Sequence, residues 1–188
     1  MAVRVIAGAA HGRRLRVPTG GTRPTAGLVR GALFNMLAHR GWLDRALVLD
    51  LFAGSGALGI EALSRGVRRV VFVEANPTAA RVLAANLARS GLAARARVLR
   101  APVRRALAAL AAKGVLADGV LADPPYGKGW PARTIAAVVQ SQVLAPAGWL
   151  AIEHRIDEAP PAMGDLVVVQ RRRHGHSALT LLERQDGR

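Results

Sequence analysis

With 188 residues, no cysteine and 27 Lys+Arg against 12 Asp+Glu, the chain has the length of one domain and a formal net charge of +15. Disulfides, thiolate metal centres and thiol nucleophiles are excluded, and a polyanionic partner is expected. Every cation except Lys113 and Lys128 is an arginine, whose planar fork suits phosphate and whose face stacks on bases, so the expected polyanion is RNA or DNA.

No apolar run reaches the roughly 20 residues that cross a bilayer, and no apolar signal core follows the first arginines, so a cytoplasmic protein without membrane contact is expected. Residues 1–45 hold eight arginines against one acid, Asp44. Val3-Arg4-Val5-Ile6 and Arg14-Leu15-Arg16-Val17 alternate as strands around the Gly8 to Gly12 turn, which predicts a small hairpin. After Pro24, Thr25 can cap a helix over 26–39 whose apolar side carries Leu28, Val29, Leu33, Phe34 and Leu37. A hairpin and one basic helix make a poor core, so this part is expected to pack on the main domain, 46–188, as an RNA-facing extension. Its candidate RNA ligands are Arg13, Arg14, Arg23, Thr25 and Arg30.

From residue 46 strands and helices alternate: strand 46–52, helix 57–65, strand 69–74, helix 77–90, strand 95–99, helix 102–112, strand 118–123, helix 132–143, strand 148–154. The fold class that follows is α/β, Rossmann-like, with a mostly parallel seven-stranded sheet and helices on both faces. Residues 166–170 and 178–182 read as a closing antiparallel hairpin joined through Arg171-Arg172-Arg173-His174-Gly175-His176. The arginine run is either a solvated strand end or a second phosphate contact. His11, His39, His154, His174 and His176 have no metal-ligand spacing, so no metal is expected, and a monomer is expected.

Asp50-Leu51-Phe52-Ala53-Gly54-Ser55-Gly56-Ala57-Leu58-Gly59 stands where the first central strand hands over to a helix. Gly54 and Gly56 permit a tight turn, and Gly59 permits close helix packing. Glu74, ending the next strand, can accept ribose hydroxyls of an adenosine-containing cofactor, with Ala75 and Asn76 beside it. Turn, strand and Glu74 together suit either a dinucleotide or S-adenosyl-L-methionine. Asp50 tips the balance. A carboxylate there repels a pyrophosphate but attracts the sulfonium and ammonium groups of S-adenosyl-L-methionine. Phe52, Ala53 and Ser55 complete the predicted cofactor loop.

The run Asp123-Pro124-Pro125-Tyr126 closes a short apolar strand, Gly119-Val120-Leu121-Ala122. Two prolines cannot continue a ladder, so the chain must turn out of the sheet at its carboxyl edge, where α/β proteins bind ligands. Backbone carbonyls, a carboxylate and an aromatic ring at such a turn suit the exocyclic amine of a nucleobase. The strands bearing Asp50 and Asp123 are expected to be neighbours, bringing methyl donor and amine acceptor to one edge.

Taken together, these residues resemble the bacterial 16S ribosomal RNA guanine-N2 methyltransferase family usually named RsmD. The resemblance runs the length of the chain. It includes Arg4-Val5-Ile6-Ala7-Gly8, Gly12-Arg13-Arg14-Leu15, Arg23-Pro24-Thr25, Val29-Arg30 with Leu33-Phe34-Asn35, the run from Asp50 to Gly66, Asp123-Pro124-Pro125-Tyr126 and Arg173-His174-Gly175. It implies methyl transfer from S-adenosyl-L-methionine to the N2 amine of a guanine in 16S rRNA, in an assembled small subunit. Gly27 and Gly31 replace the acids usual in that pattern. Pro102 stands where an Asp or Asn commonly meets the adenine amine, so other groups must read the adenine. An adenine-N6 methyltransferase, or a catalytically silent RNA-binding module for ribosome assembly, is the alternative.

Overall fold

The computed structural model describes residues 3–18, 27–44 and 47–185. Short apolar runs and helical segments alternate from residue 47 onward, and each becomes the element its pattern demands. Strands β3 (Leu47–Leu51), β4 (Arg69–Val73), β5 (Ala96–Leu99), β6 (Ala117–Ala122), β7 (Leu144–Arg155), β8 (Leu166–His174) and β9 (Ser177–Arg184) form one sheet in the order β5-β4-β3-β6-β7-β9-β8. The first five pair in parallel; β9 runs antiparallel to both β7 and β8. Helices α2 (Ala57–Ser64) and α3 (Pro77–Arg89) cover one face, and α4 (Val103–Ala111) and α5 (Trp130–Ser141) the other. The strand order reverses between β3 and β6, which opens a crevice at their carboxyl ends. Among the described residues, no helix is long and apolar enough to cross a membrane.

Three sequence boundaries move. The arginine run 171–173 is not the connection but the last part of β8, and the turn contracts to Gly175 and His176. Arg171, Arg172 and Arg173 each pair with a residue of β9, so the ladder runs further than residue polarity alone implies. Helix α5 starts two residues early, at Trp130 with Pro131 in its first turn, where a missing N–H costs no helical hydrogen bond. Strand β7 begins at Leu144, reached through an irregular register opposite β6.

The N-terminal hairpin, β1 (Val3–Arg4) with β2 (Arg14–Leu15), is antiparallel and shorter than its alternating pattern suggests. Helix α1 (Gly27–His39) follows. Both share the core cluster on the α2 face: Val3, Val5 and Leu15 of the hairpin, and Leu33, Phe34 and Leu37 of the helix, are buried there. Polar staples fix the docking. Glu61, fully buried in α2, accepts the N–H groups of Ile6 (2.7 Å) and Ala7 (3.1 Å) and pairs with Arg65 (2.7 Å). Ser64 accepts the Ala10 N–H at 2.9 Å through its hydroxyl, and its carbonyl accepts the Ala9 N–H at 2.8 Å. A Cβ on Gly8 would lie 1.8 Å from the Ser64 carbonyl oxygen, so only glycine allows this approach. At the other end Asn86 accepts the Arg16 N–H (2.8 Å) and donates to the carbonyls of Arg16 and Ser55 (both 2.9 Å).

Candidate active site

The carboxyl edge of β3, β4 and β6 holds a cleft of about 1270 Å³. Of the residues predicted to meet a cofactor, Asp50, Phe52, Ala53, Gly54, Ser55, Glu74, Ala75 and Asn76 line it; Gly56 lies buried behind them. Asp123 and Pro125 line it from the turn after β6, while Pro124 is buried and Tyr126 stands outside the lining, 53% exposed. The expected adjacency holds. Asp50 pairs with Leu121, and Leu51 with Ala122, so Asp50 and Asp123 follow each other around one corner of the sheet.

The loop after β3 is held by two carboxylates that line the cleft, Asp50 of β3 and Glu74 just after β4. Asp50 accepts the N–H of Gly59 at 2.8 Å, within the first turn of α2. A Cβ on Gly59 would lie 2.3 Å from the Phe72 ring and 2.8 Å from that same carboxylate, so glycine keeps both helix packing and the hydrogen bond possible. Glu74 accepts the Gly54 N–H at 2.8 Å with one oxygen and the Asn76 N–H at 2.7 Å with the other. Asn76 in turn caps α3, accepting from Thr78 and Ala79 at 2.8 and 3.1 Å. Phe52 has φ 60, a left-handed conformation that costs a non-glycine residue of order 1 kcal/mol or more. That backbone turns its ring edge-on to Trp130, with centroids 5.7 Å apart.

The electrostatics are set by crowded acids. Burial pushes the Asp50 carboxyl up to about 7, the Gly59 hydrogen bond opposes this, and the charges of Asp123 and Glu74 add to it. A cleft lined by a buried carboxyl and two further acids favours an incoming cation. Burial, then the Glu153 and Asp123 carboxylates, pushes the Tyr126 phenol up to about 12, so its hydroxyl stays protonated at neutral pH. That hydroxyl lies 3.5 Å from Glu153.

The predicted RNA ligands separate. Arg13 and Arg14 are exposed on the hairpin. Arg23 and Thr25 lie outside the described residues. Arg30 is a correction: it is 2% exposed, its guanidinium donates to the Arg4 carbonyl and stands 3.8 Å from Glu61, and burial lowers its pKa. A cation held inside the core cannot reach a phosphate, and sequence alone could not tell this arginine from its exposed neighbours. Several cleft residues escaped the sequence reading. Val17 and Pro18 reach the rim from the hairpin, and Trp130 and Thr134 line it from α5. Val17-Pro18 had no signal beyond an apolar strand end. Trp130 had one: an aromatic residue following the proline turn by a few positions, beside Gly129.

The family described as Conserved hypothetical protein 95 matches residues 3–183. The Bacillus subtilis protein YlbH, whose name proposes an rRNA methyltransferase, is 36% identical over 97% of this chain and 100% of its own. Ribosomal RNA small subunit methyltransferase D of Escherichia coli strain K12 is 46% identical over 87 residues, 46% of this chain and 43% of that one. A hypothetical protein of Thermus thermophilus has a solved structure that superposes with a TM-score of 0.84 at 36% identity, covering 96% of this chain and 99% of that one. The fold also matches an RNA methyltransferase of Salinibacter ruber solved with S-adenosyl-L-homocysteine, at a TM-score of 0.66 and 16% identity over 88% of this chain and 95% of that one.

Proposed function

The chain belongs to the Conserved hypothetical protein 95 family, and from that premise we propose that it transfers a methyl group from S-adenosyl-L-methionine to the exocyclic N2 amine of a guanine in 16S rRNA of the small subunit. One observation carries the reading: Asp50 and Asp123, at the ends of adjacent parallel strands, line a single cleft together with the glycine turn and Glu74.

The residues fit the cofactor by charge and shape. Asp50 is the buried acid that a sulfonium or ammonium group would ionise, and the Phe52 to Ser55 loop gives a close backbone approach. Glu74, already orienting Gly54 and Asn76, has lone pairs left for ribose hydroxyls. Pro102 lines the cleft without a side-chain acceptor or an N–H, so the adenine must be read by other lining groups. The bound cofactor supplies an electrophilic methyl group. The chain supplies position: Asp123 and the Pro124 carbonyl accept the amine hydrogens of an unstacked guanine, aiming its lone pair at the methyl carbon, and the proton that the methylated amine must lose passes to the Asp123 carboxylate or to solvent. Tyr126, neutral and exposed, offers a ring on which the extruded base can stack, worth roughly 1–3 kcal/mol per base.

Labelled S-adenosyl-L-methionine incubated with unmethylated small subunits tests this. N2-methylguanosine in the digested RNA is expected, together with no incorporation into naked DNA. N6-methyladenosine instead would move the reading to the adenine enzymes, and RNA binding without incorporation would leave a silent module. Asp123→Ala is expected to cut turnover on the order of 10²-fold or more while leaving cofactor affinity within about twofold.

A further inference from the structure

Strand register places the C-terminal hairpin beside the amine-binding turn. Asp123 directly follows Ala122, which pairs with Ile152, so Asp123 is level with Glu153. Glu153 pairs with Leu179, and Leu179 with Arg172. Arg172 is thus on the line that starts at Asp123, three strand spacings away, or about 14 Å at about 4.8 Å per spacing. The hairpin turn at Gly175 and His176 is at the same carboxyl edge as the cleft.

Side-chain alternation then sorts the arginines. Residues directly opposite in a ladder share a face. Arg172 opposite Leu179 and His174 opposite Ser177 share the face of Glu153 and Arg155, the carboxylate that meets the Tyr126 hydroxyl and its strand neighbour. Arg171 and Arg173, opposite Thr180 and Ala178, are on the other face. Charge in this region is also partly engaged. Arg155 is paired with Asp157 at 2.8 Å, and Arg171 donates to the Pro160 carbonyl. Among the described residues, no salt bridge holds Arg172 or Arg173, and both are exposed. No acid lies between Leu166 and Ser177.

We propose that Arg172 is a phosphate ligand for the RNA strand that flanks the acceptor base, and that the Tyr126 face of the β8–β9 hairpin is a second nucleic-acid surface. It rests on the methyltransferase reading for the identity of the acceptor. The other basic surface is differently placed: the Arg13 N–H bonds Ala10, itself anchored on Ser64 at the far end of α2, about 12 Å of helix from the glycine turn. A strand entering beside Tyr126 meets Arg172 a few nucleotides from the base. Arginine fits this role through its fork, which grips a phosphate with two parallel hydrogen bonds. An edge strand also gains from charge that discourages pairing with other chains, and Arg173 on the opposite face is suited to that duty.

The neighbouring arginine supplies a control with the same change of net charge. Binding of a labelled single-stranded RNA oligonucleotide is measured against salt for the wild type, Arg172→Ala and Arg173→Ala, with melting temperature and S-adenosyl-L-methionine affinity for each. The expected result for Arg172→Ala is a several-fold loss of RNA affinity and a salt slope shallower by about 0.7, the share of one phosphate on single strands. Arg173→Ala is expected to stay within about twofold of the wild type. Equal losses in both variants would mean general charge and overturn the proposal, as would an unchanged Arg172→Ala. Polyglutamate peptide binding that depends on Arg172 while RNA binding does not would assign the surface to an acidic protein and overturn it as well. The two readings fail differently. A wild type that binds RNA through Arg172 yet methylates no small subunit keeps the surface and loses the acceptor assignment.

Discussion

Asp50, on β3 against the first turn of α2, and Glu61, midway along α2, are two buried carboxylates, 1% and 0% exposed, and they are built for opposite purposes. Glu61 is surrounded by donors: the backbone N–H groups of Ile6 and Ala7 and the guanidinium of Arg65, with Arg30 just beyond. Asp50 accepts the Gly59 N–H but faces the acids Asp123 and Glu74 across the cleft. Burial strips a charge of its solvation in both places. At Glu61 the fold offsets that cost through its own contacts. At Asp50 the neighbouring acids add to it, and under the proposed function a cationic cofactor would offset it. The comparison separates a buried acid that the fold itself satisfies from one that the proposal assigns to a ligand.

Removing the satisfied carboxylate should be the larger blow to folding. Glu61→Ala leaves the buried Arg30 without its counter-charge and frees two backbone N–H groups, so a loss of about 3–5 kcal/mol is expected in chemical denaturation. A loss below about 1 kcal/mol would break the contrast, because Glu61 would then hold nothing. Asp50→Asn should do the reverse. Its amide oxygen can still accept the Gly59 N–H, while the desolvated charge is gone, so the melting temperature at pH 8 should equal or exceed the wild type. Its affinity for S-adenosyl-L-methionine should fall at least about tenfold, some 1.4 kcal/mol by calorimetry. Unfolding like that of Glu61→Ala would make Asp50 a staple too.

Titration sharpens the same point. The Asp50 carboxyl is raised to about 7, and a cationic ligand favours its ionised form, so binding below that value must release a proton. Cofactor affinity is expected to fall about tenfold per pH unit below 7 and level off above it; a flat profile from pH 5.5 to 8.5 would remove Asp50 from the cation's surroundings. For the free protein the sign is opposite. An acid whose folded pKa is raised destabilises the fold as the pH climbs from the unfolded value, about 4, towards 7, and Asp50→Asn should lose that slope. The smallest effect is on the surface that Glu61 secures. Arg13→Ala with Arg14→Ala should leave stability unchanged and weaken RNA binding a few-fold with a shallower salt dependence, measured by fluorescence anisotropy. Unchanged RNA binding would mean that the staple holds the hairpin for packing alone.

Local chemistry determined much of this protein in advance. The alternation of apolar runs and helical segments dictated a parallel α/β sheet, and the Asp50 to Gly59 and Asp123 to Tyr126 turns marked its carboxyl edge, because glycine and proline constrain backbone wherever they occur. The sequence also carried the order in which the two acidic loops meet, since a right-handed crossover leaves few places for their strands. What it did not carry is which charges point inward. Arg30 and Arg13 look equivalent in a string of arginines, yet one is sealed against Glu61 and the other is exposed. Likewise Arg172 and Arg173 differ only in which face the ladder with β9 assigns them, and Val17 and Trp130 reach the cleft from segments far apart in the chain. Burial and facing arise from contacts between distant segments, so they exist only once the tertiary structure has formed.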